Sequence, residues 1–471
     1  MLFNSFGFLL FFPLVSLLYF AVPKKFKSLF LLLSSYYFYM NWKPIFALLI
    51  MTSTILTYSC GMLISKSNTI NQKKVLLSIS LIINLGILFF YKYFNFLGES
   101  INQLLIYSDV NFKVPNFDIL LPVGISFYTF QAIGYTIDVY RNDLKAENNF
   151  INYALFVSFF PQLVAGPIER AKDLLPQFRK THKFEYSRAV EGLKLMLWGY
   201  FMKIVVADRL SVYVDAVYNN VEYHSGITLL FATILFSFQI YCDFAGYSNI
   251  AIGVSKFIGF DLMTNFKRPY FSISITDFWR RWHISLSTWF KDYLYIPLGG
   301  NRVSKKRHYL NLTITFVISG LWHGANWTFV IWGALHAFYQ ITEKIIFGKN
   351  TSKKSSLRFI NFFRTILTFS LVCFAWIFFR ANSISDSFVV IKSIFTKQGA
   401  LFTNNIDAIV LGTMGVVTLL FFENLHEKNE GKFIFLNHKN YIIRWITYLL
   451  LIFTLILFGV FDGGQFIYFQ F

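Results

Sequence analysis

One histidine stands where ionisable side chains are rare. His323 lies in the stretch SGLWHGANW, residues 319–327, between two apolar runs at 309–321 and 328–338. An ionisable ring at membrane depth is costly and usually has a function. Burial disfavours the imidazolium, so the ring should be neutral, and a neutral imidazole is a competent general base. The alternative is a structural histidine that bridges two helices.

A second histidine occurs in the preceding polar segment, DFWRRWHISLSTWFKDYLYIPLGGNR, which begins at Asp277. Apolar residues recur there at helical spacing, which predicts one amphipathic helix that lies in the interface or dips into the protein. His283 sits beside the apolar stripe, and Arg280 and Arg281 lie off it. The histidine is either functional or a hydrogen-bonded filler. The two arginines are typical of a headgroup-level helix whose charged tips reach water.

Two other features carry polar groups next to apolar runs. Asp243, in YCDFAGYSN, could orient a histidine or pair with an arginine, and pairing is the usual role of a buried carboxylate. The chain ends in FIYFQF, where Phe466, Tyr468 and Phe471 form an F-x-Y-x-x-F pattern. On composition alone, this tail, residues 466–471, is predicted to be an interfacial aromatic anchor.

Other chemistries lack the required spacing. The three cysteines lie far apart, which predicts no metal site and no disulfide. The sequence has no GxSxG elbow, no HExxH motif and no phosphate-binding loop.

These residues must be positioned by membrane helices. The chain has 471 residues, of which 55% are hydrophobic and only 14% charged, and apolar stretches recur along its whole length. The sequence predicts an all-α polytopic membrane protein with about a dozen segments, one of them at 227–242. Because no polar stretch is long enough for a soluble domain, 1–471 is predicted to form a single integral-membrane domain.

The net charge of +19 is distributed in short basic clusters between apolar runs. This pattern is the positive-inside signal and excludes a nucleic-acid partner. Lys24, Lys25 and Lys27 follow the first apolar run, which predicts a cytoplasmic loop there and an external N-terminus. Basic residues at 428–444 precede the last span and predict an external C-terminal tail.

Two long motifs together resemble the membrane-bound O-acyltransferase family. They are the segment that begins at Asp277 and GLWHGANWTFVIWGALHAF at 320–338; FFPQLVAGPIER at 159–170 and YCDFAGYSNIAIG at 241–253 are also similar. The likeness is to the bacterial branch that acylates alginate, peptidoglycan and teichoic acid. The resemblance implies a ring of tilted helices around a thin centre pierced by a tunnel. It also implies that His323 is catalytic and that His283 is the second functional position.

The resemblance further implies a reaction at the bacterial inner membrane. Acetyl-coenzyme A would be the donor, entering from the cytoplasm without a permanently bound cofactor, with Arg280 and Arg281 near its phosphates. The acceptor would be a cell-surface polysaccharide, reached through a secreted or membrane-anchored transferase. Because a related D-alanylation system carries the F-x-Y-x-x-F pattern on a separate small protein, Tyr468 is predicted to be a transient acyl carrier here.

Three other functions stay open at this point. D-alanyl transfer to teichoic acid would use the same fold with a carrier-protein donor. A glycan flippase would need polar residues spread over several spans, whereas this sequence concentrates them around two histidines. A non-catalytic scaffold would keep its function when both histidines are replaced.

Overall fold

The computed structural model describes residues 1–164, 166–348, 355–429, 435–461 and 466–467. All regular secondary structure in these residues is helical, which confirms the all-α prediction. The α-helices are α1 Phe6–Ala21, α2 Lys27–Met40, α3 Phe46–Lys66, α4 Ile70–Leu88, α5 Phe94–Tyr107, α6 Ile125–Tyr140, α7 Phe150–Ser158, α8 Phe160–Leu163, α9 Ala171–Phe178, α10 Tyr186–Tyr200, α11 Asp208–Tyr218, α12 Gly226–Phe257, α13 Ile275–Arg281, α14 Ile284–Phe290, α15 Lys305–His323, α16 Trp327–Phe347, α17 Arg358–Arg380, α18 Ile384–Thr396, α19 Ile406–Lys428 and α20 Tyr441–Phe458.

Six of these helical stretches are long and apolar enough to cross a membrane, and the protein is a multi-pass membrane protein. They are Phe46–Lys66, Ile70–Tyr107, Gly226–Phe257, Arg358–Arg380, Ile406–Lys428 and Tyr441–Phe458. Two more apolar helices, Phe6–Ala21 and Phe150–Leu163, are shorter. The count of about a dozen segments and the tunnel-pierced ring stay predictions.

The chain folds into two compact units. The first unit comprises residues 1–189 and 254–263, and the second comprises 190–253 and 264–471. Whether 1–471 acts as a single integral-membrane domain stays a prediction.

Hydrogen bonds between helices tie the first unit together inside an apolar surrounding. Ser53 Oγ lies 2.5 Å from Asn84 Oδ1, which joins α3 to α4. Tyr153 Oη donates to Thr57 Oγ1 at 2.6 Å, which joins α7 to α3. Short polar side chains of this kind fix neighbouring helices where the hydrophobic effect between helices is weak.

Close backbone contact joins α15 and α16 in the second unit. A Cβ atom on Gly320 would lie 2.2 Å from the carbonyl oxygen of Phe329, and one on Gly333 would lie 2.3 Å from that of Phe316. Only glycine permits this approach. The crossing fixes the C-terminal end of α15, where His323 is the last helical residue.

Candidate functional site

The segment around His283 is broken rather than continuous. Helix α13 ends at Arg281, α14 begins at Ile284, and His283 between them has φ 41° and ψ 56°, a left-handed conformation. The prediction of one amphipathic helix is therefore wrong. Tertiary hydrogen bonds replace the helical ones, since Ile284 N donates to Asn265 O at 2.9 Å and Lys267 N donates to Arg281 O at 2.9 Å. Such a backbone is unusual for a residue with a Cβ atom and needs this external support.

The side chain of Asn265 fixes the protonation pattern of His283. Asn265 Oδ1 accepts the backbone N–H of Ser285 at 3.2 Å and its hydroxyl at 2.9 Å. Because a backbone amide only donates, the accepting atom must be the oxygen of Asn265. Nδ1 of His283 lies 3.1 Å from the same oxygen and must carry the proton. The lone pair of the neutral ring is therefore on Nε2.

His283 is completely buried, and burial lowers its pKa to about 3. Removal of water from a charged imidazolium is unfavourable, so the ring is neutral at physiological pH. Its ring centroid lies 4.6 Å from that of Phe244 and 6.4 Å from that of His323. The structure thus brings together the two histidines that the sequence singled out.

His323 is held by aromatic side chains. It is 2% exposed, and its ring centroid lies 5.0 Å from Trp322, 5.0 Å from Trp332 and 5.5 Å from Phe379. The next residue, Gly324, ends the helix, and a Cβ atom there would lie 2.1 Å from the ring of Phe329. The sequence therefore places small residues where these aromatic rings must approach the backbone.

A cavity of about 490 Å³, here called the cationic cavity, opens beside α13–α16. Its charged wall residues are Arg280, Lys291 and Lys344, and its apolar wall includes Trp279 and Phe316. The combination of three cations with an apolar wall suits a ligand that has both phosphate groups and an uncharged part.

The two candidate arginines have different environments. Arg280 is exposed and lines the cationic cavity. Arg281 is absent from the described wall and forms ion pairs with Asp277 at 3.1 Å and Glu427 at 3.0 Å. Glu427 also pairs with Arg268 at 2.8 Å. Arg281 is thus engaged in structural contacts, and only Arg280 faces space that a ligand could occupy.

A second cavity, of about 500 Å³, is here called the amide cavity. Four amide side chains line it, together with an ion pair between Arg380 and Asp215 at 2.7 Å and the residues Phe329, Phe379 and Ile467. The amides belong to Asn219, Gln239, Asn326 and Asn382. Neutral amides, which both donate and accept, suit hydroxyl-rich ligands more than strongly charged ones.

Neighbours of His323 line both cavities. Ser319, one helical turn earlier, lines the cationic cavity, and Phe379, in ring contact with His323, lines the amide cavity. Among the described wall residues of these two cavities neither His323 nor His283 occurs. The ring of His323 is thus buried, with an aromatic neighbour in the wall of the amide cavity and a residue of its own helix in the wall of the cationic cavity.

Asp243 has a partner other than the one expected. It forms a buried ion pair with Lys203, which also binds Asp208 at 2.7 Å, so the prediction of an arginine partner is wrong. Its second oxygen accepts the backbone N–H of Ile467 at 2.7 Å. These contacts use both carboxylate oxygens of Asp243 and give no support to a role in orienting a histidine.

The described part of the tail is buried. Phe466 is fully buried, and its ring centroid lies 5.4 Å from that of Phe244 and 4.9 Å from that of Tyr247. Tyr468, the predicted acyl carrier, lies outside the described residues.

Sequence reasoning missed three functional or structural groups near the site. His336 is fully buried on α16, and its Nδ1 accepts a hydrogen bond from Trp279 at 3.3 Å. Lys203, the partner of Asp243, is the second group. Both His336 and Lys203 could have been found from the sequence, because each is an ionisable residue in an apolar helical segment. Asn265 gave no such signal, because it lies 18 positions from His283 and contacts it only through the tertiary fold.

Comparison with known proteins decides the family. The family model described as "MBOAT, membrane-bound O-acyltransferase family" matches residues 37–385. The chain belongs to this family. It is therefore a membrane O-acyltransferase, and both long motifs lie inside the matched region.

Relatives of this acyltransferase carry related names. "Probable alginate O-acetylase AlgI" from Pseudomonas aeruginosa is 39% identical over 430 residues, 89% of this chain and 80% of that protein. "Peptidoglycan O-acetyltransferase" from Helicobacter pylori is 35% identical over 400 residues, 79% of this chain and 75% of that protein. "Teichoic acid D-alanyltransferase" from Bacillus subtilis is 28% identical over 281 residues, 57% of this chain and 71% of that protein.

Proposed function

We propose that this O-acyltransferase moves an acetyl group from cytoplasmic acetyl-coenzyme A across the inner membrane for O-acetylation of a cell-surface polysaccharide. The observation that carries the proposal is that neighbours of His323 line both a cationic and an amide-lined cavity. The names of the alginate and peptidoglycan relatives support acetyl transfer to a polysaccharide.

The cationic cavity is the proposed donor site. Coenzyme A carries several phosphate charges, and Arg280, Lys291 and Lys344 supply three cations in one cavity wall. The basic residues at 302–307 precede α15, so the start of that helix is assigned to the cytoplasm. In this proposed orientation the cationic cavity would lie on the donor side. The N-terminus and the tail are proposed to lie outside because of the basic residues at 24–27 and 428–444.

His323 is the proposed general base. It removes the proton from an attacking hydroxyl as the oxygen bonds to the thioester carbonyl carbon. The carbon–sulfur bond then breaks, and the departing coenzyme A thiolate takes up the proton from the imidazolium. The base is needed because an alcohol or phenol is almost wholly protonated at neutral pH.

His283 is proposed to support this step as a neutral ring of fixed tautomer. With its proton on Nδ1, it offers only the Nε2 lone pair toward its other neighbours. Such a ring can accept a hydrogen bond and thereby orient a hydroxyl near His323. This role is separate from general base catalysis.

Tyr468 is proposed to provide the hydroxyl as a transient acyl carrier. Ile467, its neighbour, lines the amide cavity and is tied to Asp243, which supports a tail anchored at this point. The acetyl ester then passes to an extracytoplasmic partner transferase, which delivers it to the polysaccharide.

The experiment supplies labelled acetyl-coenzyme A to membranes that contain the full chain and its partner. Label is expected in the polysaccharide, and a Tyr468→Phe variant should lose it while a matched Tyr441→Phe variant keeps it. Labelled polysaccharide at normal levels from Tyr468→Phe would reduce the tail to an anchor. Untouched label in the wild type would favour a flippase or a scaffold.

D-alanyl transfer is the second candidate, favoured by the similarity to the Bacillus subtilis protein. The same membranes would then take label from a D-alanyl carrier protein and none from acetyl-coenzyme A. This outcome would replace the donor while leaving the role of His323 intact.

A further inference from the structure

The first unit contains a small basic pocket that acyl transfer does not use. Its wall consists of Tyr19, Lys24, Lys27, Ser28, Leu31, Phe178, Arg179, Lys180, Thr181 and Phe260. The volume of about 60 Å³ is room for several water molecules and therefore for one compact polyatomic group.

Positive charge dominates the basic pocket. Four of its wall residues are cationic, and the described wall contains no carboxylate. The charge of one of them, Arg179, is balanced by an ion pair with Glu147, which is not among the described wall residues. The hydroxyl groups of Ser28 and Thr181 add donors of the kind that bind phosphate oxygens. The surplus of cations suits a phosphate group.

Two cations in the wall of the pocket, Lys27 and Arg179, already have partners within the protein. Lys27 Nζ donates to the carbonyl oxygen of His182 at 2.9 Å and lies 4.6 Å from the ring centroid of Tyr19. Glu147, which holds Arg179, accepts the backbone N–H of Asn149 at 3.0 Å. A site with fixed cations loses less side-chain entropy on binding than a set of free surface lysines.

The surroundings of the pocket indicate a lipid. Helix α1 ends three residues before Lys24 and exposes apolar side chains, with Leu10 60%, Leu14 59% and Leu17 73% accessible. Phe184, 54% exposed, stands in ring contact with Phe20 at the end of the same helix. An exposed apolar helix that ends at a basic cluster is typical of the boundary between acyl chains and headgroups.

We propose that the basic pocket binds the phosphate of an anionic phospholipid headgroup whose acyl chains lie along α1. A zwitterionic choline lipid fits less well, because its quaternary ammonium group would meet the lysines. A free phosphate ion shares the same chemistry but makes no use of the apolar face of α1. The site goes beyond the proposed acyl transfer and does not depend on it.

The test measures lipid binding to the delipidated full chain in detergent by native mass spectrometry. Phosphatidylglycerol, phosphatidylcholine and inorganic phosphate are titrated separately. The test variant combines Lys24→Gln with Lys180→Gln, two exposed side chains, and the matched control combines Lys113→Gln with Lys145→Gln, which are also exposed. Because each lysine near an anionic headgroup contributes about a fivefold change in affinity, the test variant should bind phosphatidylglycerol about 25-fold more weakly.

The outcomes separate the possibilities. Preference for phosphatidylglycerol over phosphatidylcholine in the wild type and control, with its loss in the test variant, supports the proposal. Equal binding of phosphatidylglycerol by the test variant and the control overturns it. Equal binding of both lipids, with inorganic phosphate competing at millimolar concentration, would overturn the lipid assignment in favour of a free-phosphate site.

Discussion

The two histidines of the site differ in how the backbone and the neighbouring side chains hold them. His283 lies in a strained turn, and the polar side chain of Asn265 fixes its tautomer. His323 ends a regular helix and is surrounded by the rings of Trp322, Trp332 and Phe379. A polar support fixes where the proton sits, whereas an aromatic surrounding fixes position and excludes water. The difference suits an orienting role for His283 and a proton-transfer role for His323.

Replacement of His323 should have the largest effect on turnover. His323→Ala removes the proposed base, and general base catalysis contributes about 10²–10⁴-fold in rate. Release of coenzyme A thiol from acetyl-coenzyme A by membranes that contain the full chain and its partner measures the loss. His438→Ala serves as the control, because His438 is a partly exposed histidine in the segment before α20. If His283→Ala cost as much as His323→Ala, the division of roles would be wrong.

Displacement of His323 should cost less than its removal. Gly320→Ala places a Cβ atom 2.2 Å from the carbonyl oxygen of Phe329, so α15 must shift against α16. A misplacement of about 1 Å can cost roughly 10²-fold in rate. Gly86→Ala is the control, because a Cβ atom there meets nothing within 4 Å. Unchanged turnover and melting temperature in Gly320→Ala would contradict the close crossing.

The two neighbouring arginines differ in a similar way. Arg280 lines the cationic cavity, whereas Arg281 is held in ion pairs. Arg280→Gln should raise the KM for acetyl-coenzyme A about tenfold, since a charged hydrogen bond is worth about 1.5–3 kcal/mol before solvent screening reduces it. It should leave the melting temperature unchanged. Arg281→Gln should lower the melting temperature, because Glu427 and Asp277 lose a partner. The reverse pattern would exchange the roles of the two arginines.

The smallest effect is expected from a change that alters only the charge beside His283. Asn265→Asp places a carboxylate next to the proton on Nδ1, which stabilises the imidazolium and raises the pKa of His283 above its present value of about 3. The neutral ring would then be lost as the pH falls through the raised pKa. Turnover should match the wild type at pH 8 and drop several-fold more steeply than the wild type between pH 6 and pH 5. Parallel profiles would show that the protonation state of His283 is unimportant.

Much of the architecture could be predicted from apolar patterning. The run at 227–242 marked α12, although the helix extends over Gly226–Phe257 because less apolar residues continue it once they are buried. The apolar stripe after Asp277 predicted helix on both sides of His283 but not the break. The break depends on backbone hydrogen bonds in which Asn265 O accepts and Lys267 N donates. Periodicity contains no information about such distant partners.

The sequence predicted which residues form the candidate site but not how they contact one another. His323 and His283 were visible because ionisable rings are rare in apolar sequence. Their proximity and the support from Asn265 were not visible, since these contacts arise only when separate segments pack together. The arginine partner expected for Asp243 proved to be Lys203, because charge complementarity alone does not choose between cations.

The central claim is that acetyl groups cross from the cationic side to the outer side only through His323. Sealed inside-out vesicles that contain the full chain and its partner receive labelled acetyl-coenzyme A from outside. The quantity measured is ester-linked label that added esterase cannot remove until detergent opens the vesicles. Wild-type vesicles should accumulate this protected label, and His323→Ala vesicles should accumulate almost none. Protected label at the wild-type rate in His323→Ala vesicles would contradict the account.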